Sequence, residues 1–306
     1  MKTTQLPVHF RSLSALHQAM GRPAPLHPLI SIINYGEARF DPKDFEHGMK
    51  TDFYKISFKT DFHGKIRYGQ GYYDFEEGGM SFVSPGQVLI LNHEESGYSG
   101  MSLYIHPDFM RSYSLSQKIK KYGFFSYSAA EALYLSEKEK TTMLEIFTYI
   151  QSELEERIDQ FSQDVIISQI ELLLTYSNRF YNRQFITRKP ATHDLISTME
   201  EVLDHHFDAE NGVNGLPTVE FLASQLNLTP RYLSDMLRHY TGQSAQQHIH
   251  DKLIEKAKEY LSEPQFSVSE IAYQLGFEHP QSFSKLFKNK TKQTPNEYKQ
   301  SLQKIK

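Results

Sequence analysis

Leu222-Ala223-Ser224-Gln225-Leu226-Asn227-Leu228-Thr229-Pro230-Arg231-Tyr232-Leu233-Ser234-Asp235-Met236-Leu237 is written a second time, in altered form, as Ile271-Ala272-Tyr273-Gln274-Leu275-Gly276-Phe277-Glu278-His279-Pro280-Gln281-Ser282-Phe283-Ser284-Lys285-Leu286-Phe287. Ala223 meets Ala272 at a shift of 49, and Leu237 meets Phe287 at a shift of 50. Such repetition suggests one supersecondary unit used twice. Each copy reads as a helix-turn-helix. A short apolar helix ends at Asn227 or Gly276, residues that tolerate the left-handed backbone. Leu228 or Phe277 then plugs the corner. Thr229 can cap the next helix, and Pro230 or Pro280 suits its first position. Ala223 and Ala272 are small where the two helices cross. In DNA readers the second helix of this unit enters the major groove.

Between the copies, Ser244 to Leu261 is a long helical pattern with Ile249, Leu253, Ala257 and Leu261 at four-residue spacing. At a rise of about 1.5 Å per residue it spans roughly 26 Å. A rigid spacer of that length could set two recognition helices about one DNA turn apart, roughly 34 Å.

Three further runs extend the pattern. They are Gly276-Phe277, Ser282-Phe283-Ser284-Lys285-Leu286-Phe287-Lys288 and Thr294-Pro295-Asn296-Glu297-Tyr298-Lys299. Together they resemble the C-terminal signature of AraC/XylS-type transcription regulators. Lys252-Leu253, with Ala257 four residues on, is similar to that family's linker helix. The resemblance covers residues 193–306. One departure is Lys292, where the family usually carries glycine three residues before the proline of the closing motif. It puts the end of the second recognition helix in question.

In the first recognition helix Leu233, Met236, Leu237 and Tyr240 form the core face, leaving Arg231, Ser234, Asp235 and Arg238 outward. Arg231 could take guanine N7 and O6. Asp235 could accept from a cytosine amino group, or instead orient Arg231 or Arg238 as a helical neighbour. In the second helix Phe283, Leu286 and Phe287 are core, with Gln281, Ser282, Ser284, Lys285 and Lys288 outward. Gln281 could pair with adenine, while Lys285 and Lys288 suit phosphates. The resemblance matches Arg231, Ser234, Asp235, Gln281 and Lys285 to groove contacts. His279, ahead of Pro280, completes the expected DNA-contacting set.

With 306 residues, two domains are expected. There are no cysteines, which excludes disulfides, thiol catalysis and zinc fingers. No run of about 18 apolar residues exists, so no membrane span is expected. The N-terminus lacks the apolar core of a signal peptide, and a cytoplasmic location follows as an expectation. The net charge of −4 is divided unevenly. From Pro217 onward there are 12 Lys and Arg against 9 Asp and Glu; the rest of the chain has 21 against 28. A mildly basic C-terminal part fits site-specific DNA binding better than a non-specific coat.

Residues 1–28 hold Pro23, Pro25 and Pro28 and little period, and read as an extended arm or poorly ordered tail. Short β-like runs follow at Leu29–Tyr35, Phe53–Phe58, Lys65–Tyr68, Tyr72–Phe75, Met80–Val83, Gln87–Asn92 and Gly100–Ile105. That spacing suggests a small barrel or jelly roll. The turn Ser84-Pro85-Gly86-Gln87 is similar to the Pro-Gly turn of cupin barrels. The fold class expected is therefore α+β with two domains: a cupin-like barrel with C-terminal helices, then an all-α double helix-turn-helix.

A metal is not expected. His63, His93 and His106 are widely spaced in the barrel region, and the His248-Ile249-His250 pair lies on a helix, where i and i+2 face apart. His205-His206 reads as solvated. No catalytic cluster is legible, so an enzyme is not expected and no cofactor is indicated.

Two helices, over 136–158 with a capping-box start at Ser136 and over 163–181, follow the strands. They could cover the barrel mouth, form a homodimer interface, or do both. Arg183 to Thr192 loses period, and Lys189-Pro190 disfavours continuous helix. The expected division is 1–183 for sensing and dimerisation, 184–192 as linker and 193–306 for DNA binding. The resemblance implies promoter DNA and RNA polymerase as partners, and a small-molecule effector in the barrel. The competing readings are a constitutive dimeric DNA binder whose barrel is filled by aromatic side chains, and a cupin-type enzyme fused to a DNA-binding module.

Overall fold

A computed structural model of the chain describes residues 7–303, apart from positions 38, 40–46, 61–64, 69–70, 75–77, 90–98, 129–130, 158, 188, 209–214 and 264. The chain divides into two compact units, Met1–Thr187 and Arg188–Lys306.

The first unit contains strands β1 (Val8–Phe10), β2 (Ile30–Asn34), β3 (Met49–Thr51), β4 (Tyr54–Lys59), β5 (Lys65–Tyr68), β6 (Gly71–Asp74), β7 (Gly79–Val83), β8 (Val88–Leu89), β9 (Gly100–Ile105) and β10 (Leu133–Tyr134). Its helices are α1 (Leu13–Ala19), α2 (Leu115–Lys118), α3 (Glu137–Glu155) and α4 (Ser162–Thr187). Among the described residues the strands form a five-stranded sheet, β10-β7-β4-β9-β2, a three-stranded sheet, β1-β3-β8, and the β5-β6 hairpin. The expected barrel is thus present as separate sheets with no continuous hydrogen-bonded closure among those residues.

Alternation along β4 sorts the two faces of the large sheet. Ile56 and Phe58 are buried, and the Phe58 ring lies 6.0 Å from Phe147 of α3. Phe82 of β7 lies 6.1 Å from Tyr181 of α4. The opposite face carries Lys55, Ser57 and Lys59, in register with Tyr104, Ser102 and Gly100 of β9. Ser57 Oγ sits 3.0 Å from Ser102 Oγ, which also bonds the Tyr35 hydroxyl.

The outer edge of β10 is closed by α4. Gln184 Oε1 accepts from the Tyr134 N–H at 2.8 Å, its Nε2 donates to Ala132 O at 3.1 Å, and Arg183 Nη2 donates to Tyr134 O at 2.7 Å. Gln184 is buried, so its amide takes the place of a neighbouring strand.

The arm expected over residues 1–28 is corrected for the described part. Ser12 caps α1, whose Leu13 and Leu16 are fully buried with Phe10 and Met20 against Ile33, Met49, Phe53 and Tyr104. β1 pairs in parallel with β3. The helix is only seven residues long, too short to be marginally stable alone, and its apolar face is held by tertiary packing. The buried His17 ties it down, with Nδ1 2.6 Å from Pro23 O and Nε2 2.9 Å from Ser31 Oγ.

The two later helices are near expectation, but α4 runs to Thr187, six residues beyond the expected Tyr181. Gln184 and Phe185, in the added stretch, are buried. The linker expected over 184–192 is helical up to Thr187 and again from Lys189. Pro190 is the second residue of that helix, where a backbone N–H has no intrahelical partner to lose.

The second unit is all helix: α5 (Lys189–Asp208), α6 (Val219–Gln225), α7 (Pro230–Thr241), α8 (Ala245–Ser262), α9 (Val268–Gln274), α10 (Pro280–Thr291) and α11 (Pro295–Gln303). α8 buries Ala245, Ile249, Leu253, Ala257 and Leu261 on one side. Its C-terminal half shares a core with Ile271, Ala272, Leu275, Phe277, Phe283 and Phe287. Each large side chain buried there contributes about 1.5–3 kcal/mol.

Both turns repeat in detail. Asn227 has φ 55° and Gly276 φ 93°, and the Leu228 and Phe277 N–H groups bond Ala223 O and Ala272 O at 2.9 Å each. The second recognition helix ends as the first does despite its lysine. Gly242 (φ 75°) donates to Arg238 O at 3.0 Å, and Lys292 (φ 65°) donates to Lys288 O at 2.8 Å. Thr241 and Thr291 Oγ1 donate to the carbonyls of Leu237 and Phe287 at 2.8 Å each.

A left-handed non-glycine residue costs roughly 1–2 kcal/mol, part of which glycine loses again to its freer unfolded chain. Lys292→Gly is therefore expected to stabilise by about 0.5–1 kcal/mol in urea unfolding. Gly276→Ala is expected to destabilise, since its Cβ would stand 2.5 Å from the Gly215 carbonyl carbon.

Candidate nucleic-acid interface

The expected contact residues fall on α7 and α10, two helices of 12 residues each, with His279 at the N-cap of the second. Thr229 caps α7 by accepting from the Tyr232 N–H at 3.3 Å. His279 makes no such side-chain bond and stands exposed. α7 is strongly amphipathic because Leu233, Met236 and Leu237 recur on one face, where they are buried. Tyr232, which the sequence pattern left unassigned, is buried too, and Tyr240 is half-buried. In α10 Phe283 and Phe287 are buried and Leu286 is half-buried.

That packing turns Arg231 and Arg238 of α7 to solvent, with Ser234 and Asp235 half-covered between them. It turns Gln281, Ser282, Lys285 and Lys288 of α10 outward, with Ser284 half-buried. Asp235 engages both arginines at once. Arg231 Nε donates to its Oδ2 at 2.9 Å, and Arg238 Nη1 donates to its Oδ1 at 2.9 Å. The helical-neighbour pairing that the sequence allowed for Asp235 is thus formed with both arginines. Each pair, between exposed guanidiniums and a carboxylate that is 19% exposed, contributes about 0.3–0.5 kcal/mol.

The spacer helix holds the two halves by polar contacts that sequence reasoning missed. Asp251 of α8 accepts from Gln243 Nε2, just beyond α7, at 3.0 Å, and from Lys290 Nζ of α10 at 2.6 Å. Lys252 bonds Asp204 of α5 at 2.8 Å. Their signal is weak because the partners lie far apart in sequence. His206 corrects another expectation: it is not simply solvated, for its Nε2 lies 3.0 Å from Gly215 O and its ring packs on Phe221 at 5.1 Å. His205 is exposed.

The histidines of α8 serve separate local bonds, His248 to Thr241 at 2.8 Å and His250 to Gln246 at 2.9 Å, and burial lowers the pKa of both. His106 accepts from the Asp108 N–H at 3.2 Å, and His63 and His93 lie outside the described residues. Among the described residues no group of acidic and histidine side chains is arranged to hold a metal. No helix among them is long and apolar enough to cross a membrane.

Residues 222–301 match the model of a helix-turn-helix domain. The regulatory protein PocR of Salmonella typhimurium is 30% identical over 116 residues, which cover 38% of this chain and 37% of PocR. The transcriptional activator RhaS of Salmonella arizonae is 33% identical over 81 residues, covering 26% of this chain and 29% of RhaS. Among solved structures, the C-terminal domain of the two-component response regulator yesN from Fusobacterium nucleatum is 30% identical. It matches with a TM-score of 0.30 over 36% of this chain and 98% of that one. The chain spans less than two fifths of the length of the curated relatives it matches.

Reciprocal capping bonds seat α9 and α11. The Ser267 N–H donates to Glu270 Oε2 and the Thr294 N–H to Glu297 Oε2, at 2.7 Å each. These backbone bonds, with help from the Ser267 and Thr294 hydroxyls, hold both carboxyls below the usual carboxylate range. A lowered folded pKa means stabilisation present above the unfolded value of about 4.3 and lost as pH falls through the folded one. Glu297→Gln keeps an acceptor but not the charge. Its deficit in urea midpoint at pH 7 is expected to shrink steadily below about pH 4; a deficit independent of pH would refute the assignment.

Proposed function

We infer that this chain, whose C-terminal unit is an AraC/XylS-type double helix-turn-helix domain, regulates transcription by reading two successive segments of promoter DNA. The observation that carries this is the doubled recognition helix: α7 and α10 have the same length, the same N-terminal proline and the same left-handed ending. α8 packs against both, so they can be presented together. Arg231, Ser234, Asp235 and Arg238 would face one major-groove segment, and His279, Gln281, Ser282, Lys285 and Lys288 the next. The relatives' own descriptions as a regulatory protein and a transcriptional activator support a regulator over an enzyme.

The same reading gives the N-terminal unit the cupin-like sensing and dimerisation roles. In support of sensing, one face of the large sheet carries Lys55, Ser57 and Ser102 beside the buried Tyr104 and Ile33. In support of a homodimer, α3 and α4 leave apolar side chains uncovered, among them Tyr149, 62% exposed, and Leu172, 43% exposed. Dimerisation would double the DNA segments read, and activation would act through RNA polymerase bound nearby.

Selection from randomised duplexes at fixed salt is expected to return two motifs separated by about one helical turn. Arg231→Ala should relax the first motif and Gln281→Ala the second, each losing about 1–3 kcal/mol of discrimination. Sequence-blind binding by the wild type would overturn the regulator reading. Independently, Leu172→Glu is expected to convert a dimer into a monomer in sedimentation equilibrium; unchanged mass would place the interface elsewhere.

A further inference from the structure

The two recognition helices are aligned residue for residue at a shift of 50, and along that alignment one position reverses its charge. Asp235 of α7 stands where α10 has Lys285. Some neighbours keep their character, Arg238 corresponding to Lys288, Ser234 to Ser284 and Pro230 to Pro280, while Arg231 corresponds to the neutral Gln281. In α7 the reversed position joins Arg231 and Arg238 through a single carboxylate, at 2.9 Å on each side. In α10, among the described residues, no carboxylate lies within ion-pair distance of Lys285 or Lys288, while Lys290 is paired with Asp251.

We propose that Asp235 is a positioning residue that makes α7 the discriminating reader of the pair, leaving α10 as the stronger phosphate anchor. This rests on the DNA-reading function proposed above. Asp235 acts in two ways. It fixes two long side chains before DNA arrives, so less rotamer freedom is lost when they meet base edges. A guanidinium has five donors, and Asp235 takes one from each arginine. The Nη1 and Nη2 atoms of Arg231 remain as a two-donor edge of the kind that guanine O6 and N7 accept. Asp235 also places a negative charge on the DNA-facing side of α7. That charge opposes any register in which the arginines merely meet phosphates. α10 has no acid of its own on the corresponding face; Glu297 of α11 feels the charge of Lys288 but forms no ion pair with it. Lysine is a flexible point charge, suited to phosphate and poor at two-donor recognition.

The test compares the full-length wild type with Asp235→Asn, Asp235→Glu and the double variant Lys285→Ala/Lys288→Ala. Affinity is measured for the selected duplex and for a scrambled duplex over a range of salt. Asp235→Asn is expected to bind the scrambled duplex several-fold more tightly, with a salt slope about one unit steeper. Its preference for the selected duplex should fall roughly tenfold, with the lost discrimination confined to the first motif. Asp235→Glu, which keeps the charge within reach of i−4 and i+3, should recover most of that preference. The lysine pair should weaken both duplexes alike and flatten the salt slope by about two units, preserving the preference. If Asp235→Asn loses affinity equally for both duplexes at an unchanged salt slope, Asp235 is only a structural residue and the proposal fails. If the wild type itself shows no preference between the duplexes, it is the DNA-reading function that fails.

Discussion

Everything the C-terminal unit offers to solvent depends on one side of α8 being buried along its whole length. Ala245 and Ile249 at one end, and Leu253, Ala257 and Leu261 towards the other, make the helix common property of both helix-turn-helix copies. The two copies therefore cannot drift apart like beads on a linker. Their polar ties follow the same logic, since Asp251 binds the residue after α7 and the end of α10 together. A second constraint comes from backbone meeting backbone. Gly276, in the turn of the second copy, lies against Gly215, just ahead of the first copy, and His206 bonds the Gly215 carbonyl. The turn of one copy is thus a wall for the entrance of the other.

Much of this was legible in the sequence because the signals are local. Asn227 and Gly276 announce left-handed corners, prolines announce helix starts, and four-residue spacing announces α8. β5 and β9 begin and end at the residues read from composition alone. Lys292 shows the limit of reading by expected residue type. The lysine adopts the glycine conformation because the Lys288 carbonyl and the Thr291 hydroxyl still terminate the helix in the same way. What remained hidden is non-local. Residues 8–19 look like a proline-bordered arm, yet Leu13 and Leu16 find their partners in Ile33, Met49 and Tyr104, which no nearby pattern reveals. As a helical neighbour Asp235 could reach Arg231 at i−4 or Arg238 at i+3; spacing alone does not tell that it pairs with both at once.

Charge explains how an acidic chain can carry a DNA reader. The excess of carboxylates lies outside the residues from Pro217 onward, and within them the basic groups gather on helix faces that packing has already turned outward. The apolar stripe decides which charges are presented; the charges do not decide the fold. That ordering is why α7 and α10 can differ so much in outward chemistry while matching in length, first-turn proline and endings.

The side chains of Gln184 and Arg183 against β10 bear on how this protein behaves when crowded. The exposed edge of a sheet is a template for strands from other molecules, and proteins with long open edges aggregate through them. Here one border of the five-stranded sheet is already satisfied by a buried amide and a guanidinium from a helix of the same unit. Accretion at that border would first require α4 to be peeled away. Within the described sheet this leaves β2, at the opposite border, as the place where strand addition between copies would begin.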